Sequence, residues 1–163
     1  MFDDYDDRIE AARKLARFDP GAAAKALRAL AGDDGMDDET RIDAAEALAR
    51  LDRAGAAQAY RSIAGDNGVH DGLRLEAAER IPELDRRAAA EAFLSIARDD
   101  GVDDGLRSAA AEQLPELDRR SAAEAFRVIA GDDGVDDGLR SAAAEQLMEL
   151  DPRAAADVLG LFR

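Results

Sequence analysis

Apolar residues recur along this chain at the 3.6-residue period of a helix. Leu106, Ala110, Leu114 and Leu117 stand at i, i+4, i+8 and i+11, which predicts one face of a first helix running from about Asp104 to Leu117. Asp118 follows, and a second stripe of Ala122, Phe126 and Ile129 at i, i+4 and i+7 predicts a second helix. The aspartate between the two recurs as Asp19, Asp52, Asp85, Asp118 and Asp151, and Pro20 and Pro152 directly follow two of these. An aspartate side chain accepts the orphan N–H groups of a helix start, and proline suits the first helical position, where its missing donor is not needed. The second helix is therefore expected to begin after each of these aspartates. Gly32, Gly65 and Gly131 mark its end, where glycine takes the left-handed C′ conformation cheaply. Arg98 stands at that place once, which predicts a tighter or differently closed turn. Pro82 and Pro115 fall late in the first helix, and the lost bonds to the carbonyls of Ala78 and Ala111 predict a kink there.

The helix pairs are copies of one another. Arg8, Arg41, Arg74, Arg107 and Arg140 each open the same phrase, from R-I-E-A-A-R-K-L to R-S-A-A-A-E-Q-L, at a constant step of 33 residues. Repeats at approximately 1–30, 31–63, 64–96, 97–129 and 130–163 account for essentially the whole chain, and a single repeat domain is expected. Self-similarity at this period marks a solenoid, in which each repeat buries its apolar face against its neighbours. The predicted fold class is all-α, an α-solenoid of five 33-residue helix-turn-helix repeats. Alanine fills much of the contact surface, as at Ala88, Ala89 and Ala90, so the helices are expected to approach closely. One Leu, Ile or Phe per turn then supplies burial of about 1.5–3 kcal/mol each. The tracts from Asp99 to Leu114 and from Asp132 to Leu147 are nearly identical. That points to recent duplication or consensus engineering, while drift elsewhere favours a natural chain.

A period of 33 also fits ankyrin, but no T-P-L-H phrase opens the repeats, and the tetratricopeptide W…L-G…Y signature is absent. The R-x-x-A-A-x-x-L phrase, the proline in the first helix and the aspartate in the intra-repeat turn resemble HEAT-like repeats, particularly the short bilin-lyase type. The resemblance spans the chain, through Arg8 to Leu15, Arg41 to Leu48, Arg74 to Ile81, Arg107 to Leu114 and Arg140 to Leu147. One departure is the basic residue that longer HEAT repeats carry early in the second helix, where this chain has Gln58, Glu91, Glu124 or Asp157. The family's inter-repeat Asp–Arg ladder loses its usual cation there. Ala- and Asp-rich helical repeats of this kind also resemble the sensor arrays of large bacterial signalling ATPases, so the chain is expected to be either a stand-alone scaffold or the repeat segment of a larger signalling protein.

Charge narrows the partners. Acidic residues outnumber basic ones 37 to 22, a formal net charge of −15, which repels nucleic-acid backbones and anionic membranes. With no cysteine, no signal-peptide pattern and no long apolar run, the chain reads as cytoplasmic. Lysine is confined to Lys14 and Lys25, a bias that a GC-rich source or a salt-adapted organism would each produce.

The inter-repeat loops are strongly acidic: Asp33, Asp34, Asp37 and Asp38; Asp66 and Asp71; Asp99, Asp100, Asp103 and Asp104; Asp132, Asp133, Asp136 and Asp137. Clustered carboxylates suit calcium, but D-D-G-V-D-D-G lacks the EF-hand register and its terminal glutamate. Capping of the first helix is the expected role, and no metal is assigned. The arginine series could read a carboxylated ligand, but pairing with the aspartates of its own or an adjacent loop is expected instead. His70, the only histidine, replaces a loop aspartate and has no partner ligand in the pattern, so a solvated role is expected.

Along the second helix, Lys25, Gln58, Glu91, Glu124 and Asp157 form a ladder, flanked three residues on by Arg28, Arg61, Leu94, Arg127 and Gly160. In HEAT-like arrays this helix lines the concave face, so the resemblance implies a groove running from basic near Arg28 to acidic near Asp157. The alternative is a solvated face with i,i+3 pairs such as Glu124 with Arg127. The last repeat carries Val158, Leu159, Leu161 and Phe162, an apolar face that invites another repeat, a second subunit or a downstream segment.

These features point to a non-enzymatic scaffold that binds a protein or peptide along the second helices. No cofactor is expected, because no Ser/His/Asp set, phosphate-cradling loop or Cys/His cluster is available. Self-assembly through the ends is the alternative. A HEAT-like enzyme such as a bilin lyase would require aromatic packing partners, and a base-excision relative would require a basic groove with tryptophan; the sequence supplies neither.

Overall fold

The computed structural model describes residues 4–160. Among them are ten helices: α1 (Asp4–Leu15), α2 (Pro20–Ala31), α3 (Asp38–Ala49), α4 (Arg53–Ala64), α5 (Asp71–Glu79), α6 (Arg86–Arg98), α7 (Asp104–Gln113), α8 (Arg119–Gly131), α9 (Asp137–Leu150) and α10 (Pro152–Val158). No strand occurs among the described residues. The odd-numbered helices are the first and the even-numbered the second of each pair, so the chain has the expected helical-repeat class. It divides into two compact units, Met1–Ala88 and Ala89–Arg163.

The interhelix aspartates do what their spacing predicts. Asp19 accepts from the Ala22 N–H at 2.9 Å, Asp52 from Gly55 at 2.9 Å, Asp85 from Ala88 at 3.0 Å, and Asp118 from Arg120 at 3.0 Å. Asp151 accepts from both Arg153 and Ala154 at 3.1 Å. Each satisfies donors that the first turn of the second helix cannot pair internally.

In the first unit α1 to α5 pack on their sequence neighbours, and α1 on α3, α2 on α4 and α3 on α5. In the second, α7 to α10 do the same, with α7 against α9 and α8 against α10. The core is one layer of aliphatic and aromatic side chains per repeat, cushioned by alanine. Leu27, Leu48, Ile63 and Ile81 are fully buried in the first unit, and Phe93, Ile96, Leu114, Ile129 and Leu147 in the second. Ala44, Ala45, Ala77, Ala78, Ala110 and Ala111 have no exposure at all, which lets paired helices approach closely. Of the first-helix stripe read from the sequence, Ala110 and Leu114 are buried, while Leu106 and Leu117 are half-buried.

Three local expectations are corrected. Pro82 and Pro115 do not kink the first helix; it stops before them, at Glu79 in α5 and Gln113 in α7. Proline has no N–H to give the carbonyls of Ala78 and Ala111, which accept from Ile81 and Leu114 instead, both at 3.1 Å, and the chain leaves by tight turns, with Leu84 N–H to Ile81 O and Leu117 N–H to Leu114 O. Without such a proline, α9 continues to Leu150. The glycines ending the second helix are not left-handed either: Gly32 has φ −102° and Gly65 φ −91°, and the one described residue with positive φ is Gly160. The helix tightens into an i→i+3 bond instead, Asp33 N–H to Leu30 O at 3.1 Å and Asp66 N–H to Ile63 O at 3.2 Å. Since no special backbone is needed there, Arg98 fits without changing the turn, and Asp99 N–H reaches Ile96 O at the same 3.2 Å.

That conformation makes Gly131 replaceable. No atom lies within 4 Å of a Cβ built on it, so Gly131→Ala is expected to stabilise the protein by about 0.4–1 kcal/mol, read by urea denaturation. Destabilisation would indicate a left-handed backbone.

Candidate functional site

Four inter-repeat loops share one design. Asp33, Asp66, Asp99 and Asp132 each turn a carboxylate oxygen onto the N–H of the glycine two residues on, at 2.9–3.1 Å. The next residue, Met36, Val69, Val102 or Val135, is buried and pins the loop to the core. Then comes the cap of the first helix. Asp37 accepts from Thr40 N–H, and Asp103 and Asp136 from the glycine and leucine that follow them at two and three residues. His70 does the same work through Nδ1, 3.2 Å from the Gly72 N–H, so it is a cap as well as an exposed loop residue. Among the described residues no group of three acidic or histidine side chains is disposed to hold a metal ion.

The arginine series is structural, and its core members are buried more deeply than an ordinary surface pair. Arg41, Arg74 and Arg107 are each 3% exposed. Arg107 donates from Nε to the carbonyl of Ala97 at 3.3 Å, and from Nη1 to Asp104 at 3.4 Å and Asp132 at 3.0 Å. Arg74 reaches Ala64 O at 3.1 Å and Asp71 at 3.4 Å. Arg41 pairs with Asp34, Asp38 and Asp66. Thus the Arg107 guanidinium meets an orphan carbonyl at the end of the preceding second helix, an aspartate in its own first turn and an aspartate of the next loop, whereas Arg41 is held by aspartates alone and its Nε is buried without a partner. An inter-repeat Arg–Asp ladder does exist, built from the first helix rather than from the second-helix position where HEAT repeats carry their cation. The end members differ: Arg8 is exposed and lies 5.3 Å over the Tyr5 ring, and Arg140 binds Asp133 and Asp137 with its side chain 32% exposed.

The ladder sets the electrostatics of the loops. Donation from the Gly134 N–H, then from Arg107, holds the Asp132 carboxyl below its usual range, and Gly68 and Arg41 do so for Asp66. The Thr40 hydroxyl lowers Asp37, and the Ser121 hydroxyl lowers Asp118.

The second-helix ladder lies on the surface, as expected. Lys25, Arg28, Gln58, Arg61, Glu91, Arg127 and Asp157 are exposed, and Leu94 and Glu124 half-buried. The structure brings together only some of them. Arg28 reaches from α2 to Asp52, the cap of α4. Glu124 does not pair with Arg127; its partner is Arg98, from the end of α6, at 2.9 Å. Gln58 and Arg61 border an open cavity of about 640 Å³ in the first unit, lined also by Arg53, Ser62, Ala57, Leu84 and Asp85. Arg53 was missing from the ladder because it stands at the helix start; its guanidinium donates to the backbone oxygen of Glu83. The alternation of exposed and buried positions could have found it.

A second polar group, on the first-helix side, also escaped the sequence. Arg80 binds Glu46 and Glu76, both at 3.1 Å, across α3 and α5. Beneath them Tyr60 replaces the phenylalanine that later repeats carry at Phe93 and Phe126, and burial pushes its hydroxyl pKa up to about 12. At the last repeat, Leu159 is 48% exposed and Val158 half-buried, while Leu161 and Phe162 lie outside the described residues. No described helix is long and apolar enough to cross a membrane. Comparison with family models, curated proteins and solved structures found no match.

Two predictions follow from the ladder. Arg107→Met keeps the aliphatic stem but leaves Ala97 O and Asp132 without their donor; it is expected to destabilise by about 2–3 kcal/mol, and Arg140→Met by less than about 1, in urea denaturation. Equal losses would show that burial of the guanidinium is immaterial. The lowered carboxylates contribute stability that is complete above their unfolded pKa of about 4 and is lost as pH falls through the lower folded values. The melting temperature should therefore be level from about pH 7 to 5 and drop below about pH 4.

Proposed function

We propose that the chain is a HEAT-like, non-enzymatic scaffold that binds a protein or peptide on the face formed by its second helices. The supporting observation is the cavity of about 640 Å³ beside α4, which two residues of the sequence-derived ladder, Gln58 and Arg61, border. A groove lined by both apolar and polar side chains is how a repeat surface grips an extended segment. The sole histidine is engaged as a helix cap and the loop aspartates close turns, so the groups best suited to chemistry already serve the frame. A cysteine-free chain supports a reducing, cytoplasmic setting, and the composition supports a bacterial signalling context.

Affinity capture from lysate with the intact chain, against a variant carrying Arg28→Glu, Arg61→Glu and Arg127→Glu, tests this. Loss of the captured protein is expected with the melting temperature preserved. Recovery of the same proteins by both chains removes this face from consideration.

A second reading, self-assembly through the last repeat, has one observation in its favour. Leu159 is 48% exposed although it holds the position at which Phe126 is 3% exposed. Burial of such a residue against another copy would contribute about 1.5–3 kcal/mol. Light scattering decides it: a smaller particle for Leu159→Ser with Phe162→Ser supports assembly, and an unchanged monomer ends it.

A further inference from the structure

In a protein of net charge −15, the two second helices of the first unit are free of carboxylates. From Pro20 to Ala31 and from Arg53 to Ala64 the charged residues are Lys25, Arg28, Arg53 and Arg61, without one aspartate or glutamate. The first helix between them is the reverse, with Asp38, Glu39, Asp43 and Glu46 against Arg41, whose side chain is buried. Charge is therefore sorted by helix, and one of the two cationic helices, α4, lines the cavity with Arg53 and Arg61, together with Asp85 from the following turn.

Two carboxylates at this surface, Asp52 and the cavity-lining Asp85, are engaged. Asp52 accepts from the Gly55 N–H and from Arg28, which together hold its carboxyl below the usual range. Asp85 accepts from the Ala88 N–H. Each thus faces a helix start, where it is attracted to the positive end of the dipole.

From this arrangement we infer that the cavity beside α4 seats an acidic peptide, whose carboxylates meet Arg53 and Arg61 while an apolar side chain packs on Ala57 and Leu84. The inference rests on the binding-scaffold reading and names the chemistry of its partner. Arg53 spends one of its five N–H donors on the Glu83 carbonyl, a contact that holds the guanidinium at the cavity. A guanidinium fixed in this way loses little further freedom when it grips a carboxylate. The volume, about 640 Å³, is sufficient for several side chains. At physiological ionic strength the field of the distant acidic loops is screened beyond about 8 Å, so a short segment responds to this patch. An extended polyphosphate would also run onto the acidic loops.

Fluorescence anisotropy with a short labelled peptide of alternating leucine and glutamate tests the assignment, against the same peptide with glutamine or lysine in place of glutamate. The glutamate peptide should bind at least about tenfold more tightly than either, and more weakly as salt rises. Arg53→Glu with Arg61→Glu should abolish that preference, whereas Arg13→Glu, on α1, should not. Failure of the glutamate peptide to bind, binding equal to that of the glutamine peptide, or a preference unmoved by the double variant overturns the inference. Tighter binding of a labelled single-stranded oligonucleotide than of the glutamate peptide also overturns it. Should glutamate and glutamine peptides bind alike, with both lost on filling the cavity by Ala57→Trp, the groove reading survives and only the acidic partner falls. Circular dichroism melting of each variant separates loss of binding from loss of fold.

Discussion

Arg41, Arg74 and Arg107 are the charged side chains buried between helix pairs, and the loops are organised around them. A guanidinium withdrawn from water is tolerated only when its donors are met and its charge is balanced. Here the balance comes from the loops: Asp34, Asp38 and Asp66 around Arg41, Asp104 and Asp132 around Arg107. Much of the acidity of this chain is thus the counterpart of its buried arginines. Asp66 and Asp132 also bend the loop onto its glycine, so one side chain closes a turn and bridges two repeats.

Packing follows from this arrangement. Each loop is pinned by polar bonds above and by one apolar residue, Met36, Val69, Val102 or Val135, below. The helix pairs between loops then need little bulk to fill their interface, and alanine with one large residue per turn suffices. Where the pattern runs out, the change is graded: Arg140 keeps its own-loop aspartates but is one-third exposed, and Leu159 is uncovered at a position that is core in the preceding repeats.

The second helices bury one face in the core, and on the other face residues such as Lys25, Gln58 and Arg61 stand on the surface. Their chemistry varies from repeat to repeat while the arginine that opens each phrase does not. A surface that differs along a constant frame is what a binding array requires. In the first unit that variation has gathered cations beside a cavity, which supports an acidic partner.

Most of the frame was legible in the sequence, because helix period, aspartate caps and a constant 33-residue step are local signals. The repeats, the helix starts at Pro20, Arg53, Arg86, Arg119 and Pro152, and the pairing of arginine with loop aspartate could all be read before any coordinates. Other features depended on how neighbouring repeats meet. Whether Pro115 kinks or ends α7 depends on the turn the chain takes next, and whether Gly32 is left-handed depends on a bond from the following aspartate. The partner of Glu124, and Glu46 of the two partners of Arg80, stand on other helices, far away in sequence, and the cavity at Gln58 and Arg61 is bordered by Leu84 from the next repeat. Sequence alone determined the periodic elements, since backbone hydrogen bonding and capping act within a few residues. Only the tertiary structure decided which charges are buried and which surface is open, since burial is a property of the packed neighbours and not of the residue itself.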